Sequence, residues 1–204
     1  FGDFLNFPKL FNSILLNKVQ KELLSLEIKK QLNQFLLLTG KLPDFIDGHQ
    51  HIQQLPIIRD LLPTICSKAF ENKKFYIRVG RFPIKKSIAN KLHYEMFIGS
   101  YLIHMFSNQS INKLKLFNIR FNNYLLGYHN YNKEKKLNEV VEKYLKLSVS
   151  ENDILFVHPG YIDKDLISRD KLVEGRKRNL SFLLSDKFTE LLSINDIKIN
   201  KFKY

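Results

Sequence analysis

Residues 44–51 read Asp-Phe-Ile-Asp-Gly-His-Gln-His, and this segment determines how the rest of the chain is interpreted. The apolar pair Phe45 and Ile46 is typical of the end of a short buried strand. Gly48 lets the backbone turn sharply directly after that strand, without a Cβ atom in the way. Since α/β proteins place their sites at the carboxyl ends of strands, the segment predicts both an α/β fold and the position of a site.

The polar side chains of this turn are an acid and two imidazoles. Asp47, His49 and His51 follow the apolar pair at every second position. In an extended segment His49 and His51 share one face, whereas on a helix they diverge. Carboxylate and imidazole groups are common ligands of divalent metals. The alternative interpretation is a solvated polar turn after a strand.

Length and composition predict a soluble, cytoplasmic protein with one domain over residues 1–204. A chain of 204 residues with 44% hydrophobic content can bury a substantial core. No apolar run approaches the roughly 20 residues that a membrane span requires, and we find no signal-peptide pattern. Cys66 is the single cysteine and lies in a helix-like apolar pattern. We therefore expect a small core residue rather than a nucleophile.

The net charge of +13 raises the possibility of nucleic-acid binding, because a basic surface attracts phosphates. The distribution of charge disfavours it. Lysine outnumbers arginine 26 to 7 and is scattered along the chain. The densest basic groups, at residues 133–136 and 176–178, fall in helical patterns where a solvated face is the simpler explanation.

The apolar periodicity predicts strands that alternate with helices. Helices are expected over residues 17–39, ended by Gly40, and then over 57–70, 83–106, 133–147, 172–184 and 185–192. Strands are expected at 45–46, 75–79, 153–157 and 197–202, with an Asn-rich connector at 108–112 and an ambiguous segment at 114–129. This alternation is typical of parallel βα units.

Three predicted strands end in polar candidates. Asp47 and His49 follow the first, Arg78 lies at the end of the second, and His158 follows the strand at 153–157. Parallel strands bring such ends to one face, which predicts a shared site. His93 and His104 lie on mostly apolar helical patterns and are expected to be core or surface histidines.

Two runs resemble motifs of the YdjC-like carbohydrate deacetylases. Residues 43–51 resemble the D-G-H-Q-H motif of that family. Residues 158–163, His-Pro-Gly-Tyr-Ile-Asp, are similar to its H-P-G-Y-x-D segment, and Ser168, Arg169 and Arg176 follow in order. Arg78 and Gly127 match landmarks between the two motifs, so the resemblance covers almost the whole chain.

The resemblance implies a metal-dependent hydrolase on a (β/α) barrel-like fold with parallel strands. Its substrates are acetylated amino sugars or chitooligosaccharides, from which it removes N-acetyl groups. The cofactor is a divalent cation, Mg²⁺ or Zn²⁺, which polarises the acetyl carbonyl and lowers the pKa of bound water. Of the aspartate and two histidines that hold this metal in the family, one histidine corresponds to His49.

The remaining residues of the two motifs receive roles from the same resemblance. Asp47 orients the site beside the metal, and His158 is a candidate general acid or oxyanion partner. Arg78 positions a carboxylate or the substrate. His51 and Tyr161 are expected to contact the substrate.

The chain also departs from the family pattern. The N-A-D-D-F-G strand and the G-x-H-x-N-L-T segment, which supply the other metal ligands and the base, do not occur, and Phe45 and Gln53 stand where some relatives carry further histidines. We therefore expect the N-terminal βα units of the barrel to be missing, an unpaired sheet edge, a possible homodimer and negligible activity of this segment alone. The alternatives are a catalytically inactive barrel remnant that binds a partner and, with less support, a basic nucleic-acid-binding module.

Overall fold

The computed structural model describes residues 7–16, 18–71, 73–89, 98–128, 137–147, 150–169 and 173–202. Its helices are α1 (Phe7–Leu15), α2 (Lys21–Thr39), α3 (Ile58–Ala69), α4 (Ile84–Ala89), α5 (Ile98–Leu116), α6 (Leu137–Leu145), α7 (Lys164–Arg169), α8 (Val173–Leu183) and α9 (Asp186–Ile194). Its strands are β1 (Phe45–Ile46), β2 (Tyr76–Ile77), β3 (Leu125–Leu126) and β4 (Ile154–Leu155), and a 3-10 helix spans His49–Gln54. The protein is thus a helix-rich α/β protein with short strands.

Helix α2 ends as the sequence predicts. Gly40 has a φ of 70° and its N–H donates to the Leu36 carbonyl. Glycine adopts this left-handed conformation without a steric penalty from a Cβ atom, so the helix ends at Gly40 without backbone strain. Pro43 and the β1 strand follow at once.

One compact unit of the chain comprises residues 1–81 and 102–122. Within it, β1 pairs with β2 in parallel, with Phe45 opposite Tyr76 and Ile46 opposite Ile77. A parallel bridge joins Tyr76 to Arg120 on the other side of β2. Apolar side chains of α3, β2 and α5, and of residues next to these elements, form the core of this unit: Leu62, Cys66, Phe70, Phe75, Ile77, Val79, Ile111, Leu114 and Ile119.

The other compact unit comprises residues 82–101 and 123–203. Here β3 pairs with β4 in parallel, with Leu125 opposite Ile154 and Leu126 opposite Leu155. Its core lies where α6, α8 and α9 meet, through Val141, Leu145, Phe182, Phe188 and Leu191. Both strand pairs are parallel, which confirms that part of the prediction.

Two predicted elements are wrong. Helix α5 runs to Leu116, so the predicted connector at 108–112 is helical. Ser110, Ile111 and Leu114 are buried along it, and this burial outweighs the weak helix propensity of the asparagines. Residues 197–202 form no strand, and Ile199 is exposed. No segment among the described residues pairs with them as a strand, and alternating lysines alone do not make a strand.

Several predictions remain untested. Closure of a barrel, absence of N-terminal units, a single domain over residues 1–204 and a homodimer all stay predictions. The basic group at 133–136 and His93 lie outside the described residues. No helix in the part of the chain that the structure describes is long and apolar enough to cross a membrane.

Candidate functional site

The turn after β1 is a short 3-10 segment kinked at Gln50 and His51, and not the extended segment that the sequence predicted. Gln50 has φ 50° and ψ 31°, and His51 has φ 63° and ψ 23°. The His51 N–H donates to the Gly48 carbonyl across 3.0 Å. His49 and His51 therefore do not share the face of a strand, because the β1–β2 pairing ends at Ile46 and Ile77. Two consecutive non-glycine residues in the left-handed region make this turn strained.

Gly48 is needed for space rather than for an unusual backbone angle. Its φ of −79° is open to any residue. A Cβ atom at this position would collide with Oε1 of Gln53 and press on the Gln53 backbone nitrogen. The glycine therefore permits the chain to fold back onto the end of β1, as the sequence suggested.

The Arg78 guanidinium binds several polar groups of this turn. Its Nη2 donates to the Asp47 carboxylate and, across 3.3 Å, to the Gly48 carbonyl. Its Nη1 lies 2.6 Å from Nδ1 of His51. The Arg78 side chain is 8% exposed and that of Asp47 is 43% exposed. The guanidinium thus neutralises the acid and fastens both ends of the strained turn.

The contact with Arg78 decides the tautomer of His51. A guanidinium nitrogen only donates, so Nδ1 of His51 accepts and the imidazole proton resides on Nε2. In this state Nε2 carries an N–H and can donate to a substrate oxygen. A histidine that ligates a metal through Nε2 needs its proton on Nδ1, so His51 is arranged as a donor and not as a ligand. The contact of His51 with substrate stays a prediction.

Buried amides hold the backbone around Arg78, and the sequence analysis missed this role. Gln53 Nε2 donates to the Arg78 carbonyl across 2.8 Å. Gln54 accepts from the Gly80 N–H and donates to the Ile103 carbonyl across 3.1 Å. The two adjacent glutamines that follow the histidine motif after Ile52 were the available signal, since buried amides require partners.

Asn122 acts as a substitute strand partner for the segment after β2. Its Oδ1 accepts from the Val79 N–H across 2.7 Å, and its Nδ2 donates to the Val79 carbonyl across 3.0 Å. The side chain is fully buried. The sequence left residues 114–129 ambiguous, and the structure shows that the Asn122 amide extends the pairing that the backbone makes at Arg120.

His49, the predicted metal ligand, is exposed at the start of the 3-10 helix. Asp47 beside it is bound to Arg78. Among the residues that the structure describes, no three His, Cys, Asp or Glu side chains come together to hold a metal ion. These residues alone therefore do not form the three-ligand set that a catalytic metal normally uses.

His158 follows β4 in the second unit, as predicted. Its backbone N–H donates to Oδ1 of Asn179 across 3.0 Å, and Asn179 is anchored by a bond from Nδ2 to the Gly175 carbonyl. The imidazole meets the Phe156 ring edge to face at 5.5 Å. Phe156 packs in turn on the buried Tyr128. Helix α8 and this aromatic pair therefore fix the residue that follows the strand.

The other predicted residues of this segment are less enclosed. Tyr161 is 79% exposed. The Asp163 carboxylate accepts from the Leu166 N–H across 2.7 Å and so caps α7. The contact of Tyr161 with substrate and the convergence of His158 with the Arg78 cluster stay predictions.

Two titratable residues outside the motifs behave as the sequence suggested. Cys66 is fully buried, and desolvation raises the pKa of its thiol to about 12, so it is no nucleophile at neutral pH. Burial and then the charge of Arg81 lower the pKa of His104. His104 lies on α5, away from both motifs in sequence.

Fold and site together define an α/β protein whose parallel strands end in aspartate, histidine and arginine. The model of the YdjC-like protein family matches residues 2–193, and the chain belongs to this family. It is 27% identical over 162 residues to a carbohydrate deacetylase of Danio rerio, an overlap of 66% of this chain and 49% of that protein. The chain thus spans about half the length of this relative.

A solved structure has a similar fold. It is the crystal structure of a candidate cellobiose-phosphate cleavage protein of Enterococcus faecalis V583, with a TM-score of 0.64 and 18% identity. The match covers 93% of this chain and 63% of that one. At this identity the likeness shows the fold alone.

Proposed function

We propose that this chain belongs to a carbohydrate deacetylase that removes N-acetyl groups from amino sugars or chitooligosaccharides. Membership of the YdjC-like family and the similarity to the Danio rerio carbohydrate deacetylase support this proposal. The likeness to the Enterococcus faecalis structure and the parallel strand pairs support a (β/α) barrel-like fold for the whole protein. The reaction is hydrolysis of an amide bond, which yields acetate and a free amine.

One observation carries the proposal, namely the convergence of the motif residues on Arg78. Asp47, Gly48 and His51 all bind its guanidinium, although Arg78 lies about thirty residues further along the chain. A buried arginine with an acid and a histidine on one side is far more ordered than a solvated turn requires. In the proposed reaction Arg78 and Asp47 hold the turn, and His51 donates from Nε2 to an oxygen of the bound sugar.

His158 is the proposed general acid. An imidazole changes its charge near neutral pH, so it can protonate the amine that leaves as the amide bond breaks. Its backbone is fixed by Asn179 and its ring by Phe156, which supports a constant position relative to β4. Tyr161, which directly follows Pro159 and Gly160, is proposed to contact the sugar.

His49 is proposed to contribute one ligand to a divalent cation, Mg²⁺ or Zn²⁺. Its exposure at the end of β1 leaves the imidazole accessible. Since the described residues offer no three-ligand group, we expect residues 1–204 alone to bind divalent cations weakly and to release little acetate.

The experiment is acetate release from N,N′-diacetylchitobiose in the presence of Mg²⁺, Zn²⁺ or Co²⁺. It compares residues 1–204 with a longer chain that carries the family's two missing motifs at its N-terminus. We expect turnover by the longer chain and negligible turnover by the shorter one. Failure of both chains on this and other acetylated amino sugars would remove the proposal, whereas robust turnover by residues 1–204 would show that its own acids complete the site.

A second candidate is a sugar-binding protein without catalysis. The lack of a three-ligand group among the described residues favours it. This candidate predicts that N,N′-diacetylchitobiose binds to the chain, by calorimetry, while even the longer chain releases no acetate. Turnover by the longer chain excludes it.

A further inference from the structure

The turn of His158, Pro159 and Gly160 after β4 is bonded to helix α8 at both of its ends. The His158 N–H donates to Oδ1 of Asn179 across 3.0 Å, and the Gly160 N–H donates to the Arg176 carbonyl across 3.2 Å. Pro159 between them has no N–H to donate. Each backbone N–H of these three residues is therefore either bonded to α8 or absent.

Asn179 makes its part of this connection with a fully buried side chain. Its Nδ2 donates to the Gly175 carbonyl across 3.0 Å, so the amide is bonded at both of its ends. These two bonds also fix the orientation of the amide, because an exchange of oxygen and nitrogen would set two acceptors and two donors against each other. The oxygen that the His158 N–H meets therefore has a fixed position on α8.

A turn whose backbone is bonded in this way does not supply an oxyanion hole. Amide hydrolysis places negative charge on the carbonyl oxygen of the substrate, and that oxygen is stabilised by donors that point at it. The N–H groups of His158 and Gly160 point at α8 instead. The imidazole of His158, rather than its backbone, is thus left to act in the reaction.

We propose that Asn179 is a positioning residue for the general acid His158. It holds the His158 backbone on α8, while the Phe156 ring packs against the imidazole at 5.5 Å. An acid held in this way keeps its distance to the departing amine, and a displacement of about 1 Å costs on the order of 10²-fold in rate. This inference rests on the proposed function, because it takes His158 to be the acid.

The kinetic test measures kcat and KM of Asn179→Leu in the longer chain, with N,N′-diacetylchitobiose, at a temperature where circular dichroism shows the variant to be folded. We expect kcat to fall by about 10²-fold with KM nearly unchanged, because Asn179 acts on proton transfer and not on sugar binding. A purely structural residue would lower the melting temperature and leave the kcat of the folded enzyme unchanged. That result would overturn the proposal.

A conservative variant tests whether the two bonds of Asn179 are the cause. Asn179→Asp keeps the shape of the side chain, and desolvation favours the neutral form of a buried carboxyl. Its hydroxyl then donates to the Gly175 carbonyl, and its other oxygen accepts from the His158 N–H. We expect this variant to recover most of the lost kcat at pH 6. A folded Asn179→Asp with the kcat of Asn179→Leu contradicts the proposal.

Asn195→Leu is the matched control for the loss of a helix-bound amide. Nδ2 of Asn195 also donates to the carbonyl four residues earlier, that of Leu191, across 2.8 Å. This change should lower the melting temperature without lowering kcat. An equal fall in kcat for Asn195→Leu and Asn179→Leu would show that any loss of helix stability impairs the enzyme, and would overturn the specific role of Asn179.

Amide hydrogen exchange in residues 1–204, followed by NMR, tests the anchor without any activity. We expect the His158 N–H to exchange slowly and to lose this protection in Asn179→Leu. The Phe156 N–H, which donates to the Leu126 carbonyl across 3.0 Å, should keep its protection. Equal losses at both amides would indicate general destabilisation and overturn the proposal. If the His158 amide alone loses protection but no longer chain releases acetate, the anchor stands, while the proposed function and the role of His158 as acid fall.

Discussion

Arg78 donates from Nη1 to Nδ1 of His51 across 2.6 Å, so one side chain directly after β2 sets the tautomer of a histidine in the turn after β1. The same guanidinium binds the Asp47 carboxylate. Removal of Arg78 therefore changes the charge balance and the shape of the turn together. This coupling makes Arg78 the first residue to test.

Arg78→Met should destabilise the protein by about 2 kcal/mol, because Asp47 and the Gly48 carbonyl lose their partner while Asp47 keeps some contact with water. Arg78→Lys should recover little of this loss, because one ammonium cannot replace two guanidinium nitrogens. Urea unfolding followed by circular dichroism measures the difference. The control is Lys113→Met, which breaks the exposed pair with Asp60 and should cost less than about 1 kcal/mol. Equal losses of unfolding free energy for Arg78→Met and Lys113→Met would contradict a stabilising role for the contacts of Arg78 with the turn after β1.

His49→Ala should abolish metal-dependent acetate release by the longer, active chain, because His49 is the proposed metal ligand of the motif. His104→Ala is the matched control and should leave the chemistry largely unchanged. Acetate release and metal content by atomic emission are measured together. If His49→Ala retains both, the assignment of this residue is wrong.

Asn122→Leu should destabilise the protein by about 2–4 kcal/mol, since the Val79 N–H and carbonyl both lose their partner in a buried position. Asn123→Leu is the control, because Asn123 is exposed and its Nδ2 donates to the Glu151 carbonyl across 2.7 Å. Thermal melts of the two variants give the comparison. A smaller shift for Asn122→Leu than for Asn123→Leu would remove the role of Asn122 as a strand partner.

Gly127→Ala should also destabilise the protein, by about 1–3 kcal/mol. Gly127 has a φ of 106°, and a Cβ atom there would collide with the Phe156 carbonyl oxygen. Gly160→Ala serves as control, because its Cβ would make ordinary contacts of 3.5 and 3.6 Å with the Arg176 side chain. We expect a clear loss in melting temperature for the first variant and a small change for the second.

The thiol of Cys66 should react slowly with a thiol-specific dye in the folded protein at pH 8, and quickly in guanidinium. Its pKa is raised from 9.0 to about 12 by desolvation, so very little thiolate is present. Because the unfolded chain releases this proton at lower pH than the folded one, the free energy of unfolding should fall as the pH rises above about 9. Fast labelling of the folded protein would contradict the burial of Cys66. In Cys66→Ala, the part of the fall in unfolding free energy above about pH 9 that is due to the thiol should disappear.

The sequence was sufficient to predict the elements whose signals are local. Helix α2 and its Gly40 end follow from leucine spacing and one glycine, and β1 follows from Phe45 and Ile46. The parallel pairing follows from the alternation of helices and strands. Each of these depends on neighbours in the chain, which the sequence shows directly.

The contact between two strand ends was predictable, but the geometry of the turn was not. Asp47 and Arg78 come together as their positions after β1 and β2 suggest. The extended form predicted for His49 and His51 was wrong. The strained turn exists because groups from β2 and the buried Gln53 bind it, and no local pattern reveals such distant partners. The same holds for Asn122, whose amide binds Val79 from 43 residues away.

Gln50 and His51 both have a left-handed backbone conformation, and this determines whether the histidine motif can be transferred to another protein. A short peptide with this sequence lacks Arg78 and the folded surroundings of Gln53. Its Gln50 and His51 should therefore adopt the common backbone conformations with negative φ. A graft of residues 44–54 into another scaffold would transfer the sequence of the motif but not its backbone conformation. A successful transplant needs the arginine of the neighbouring strand as well, which makes the two-strand unit, rather than the motif, the smallest transferable part.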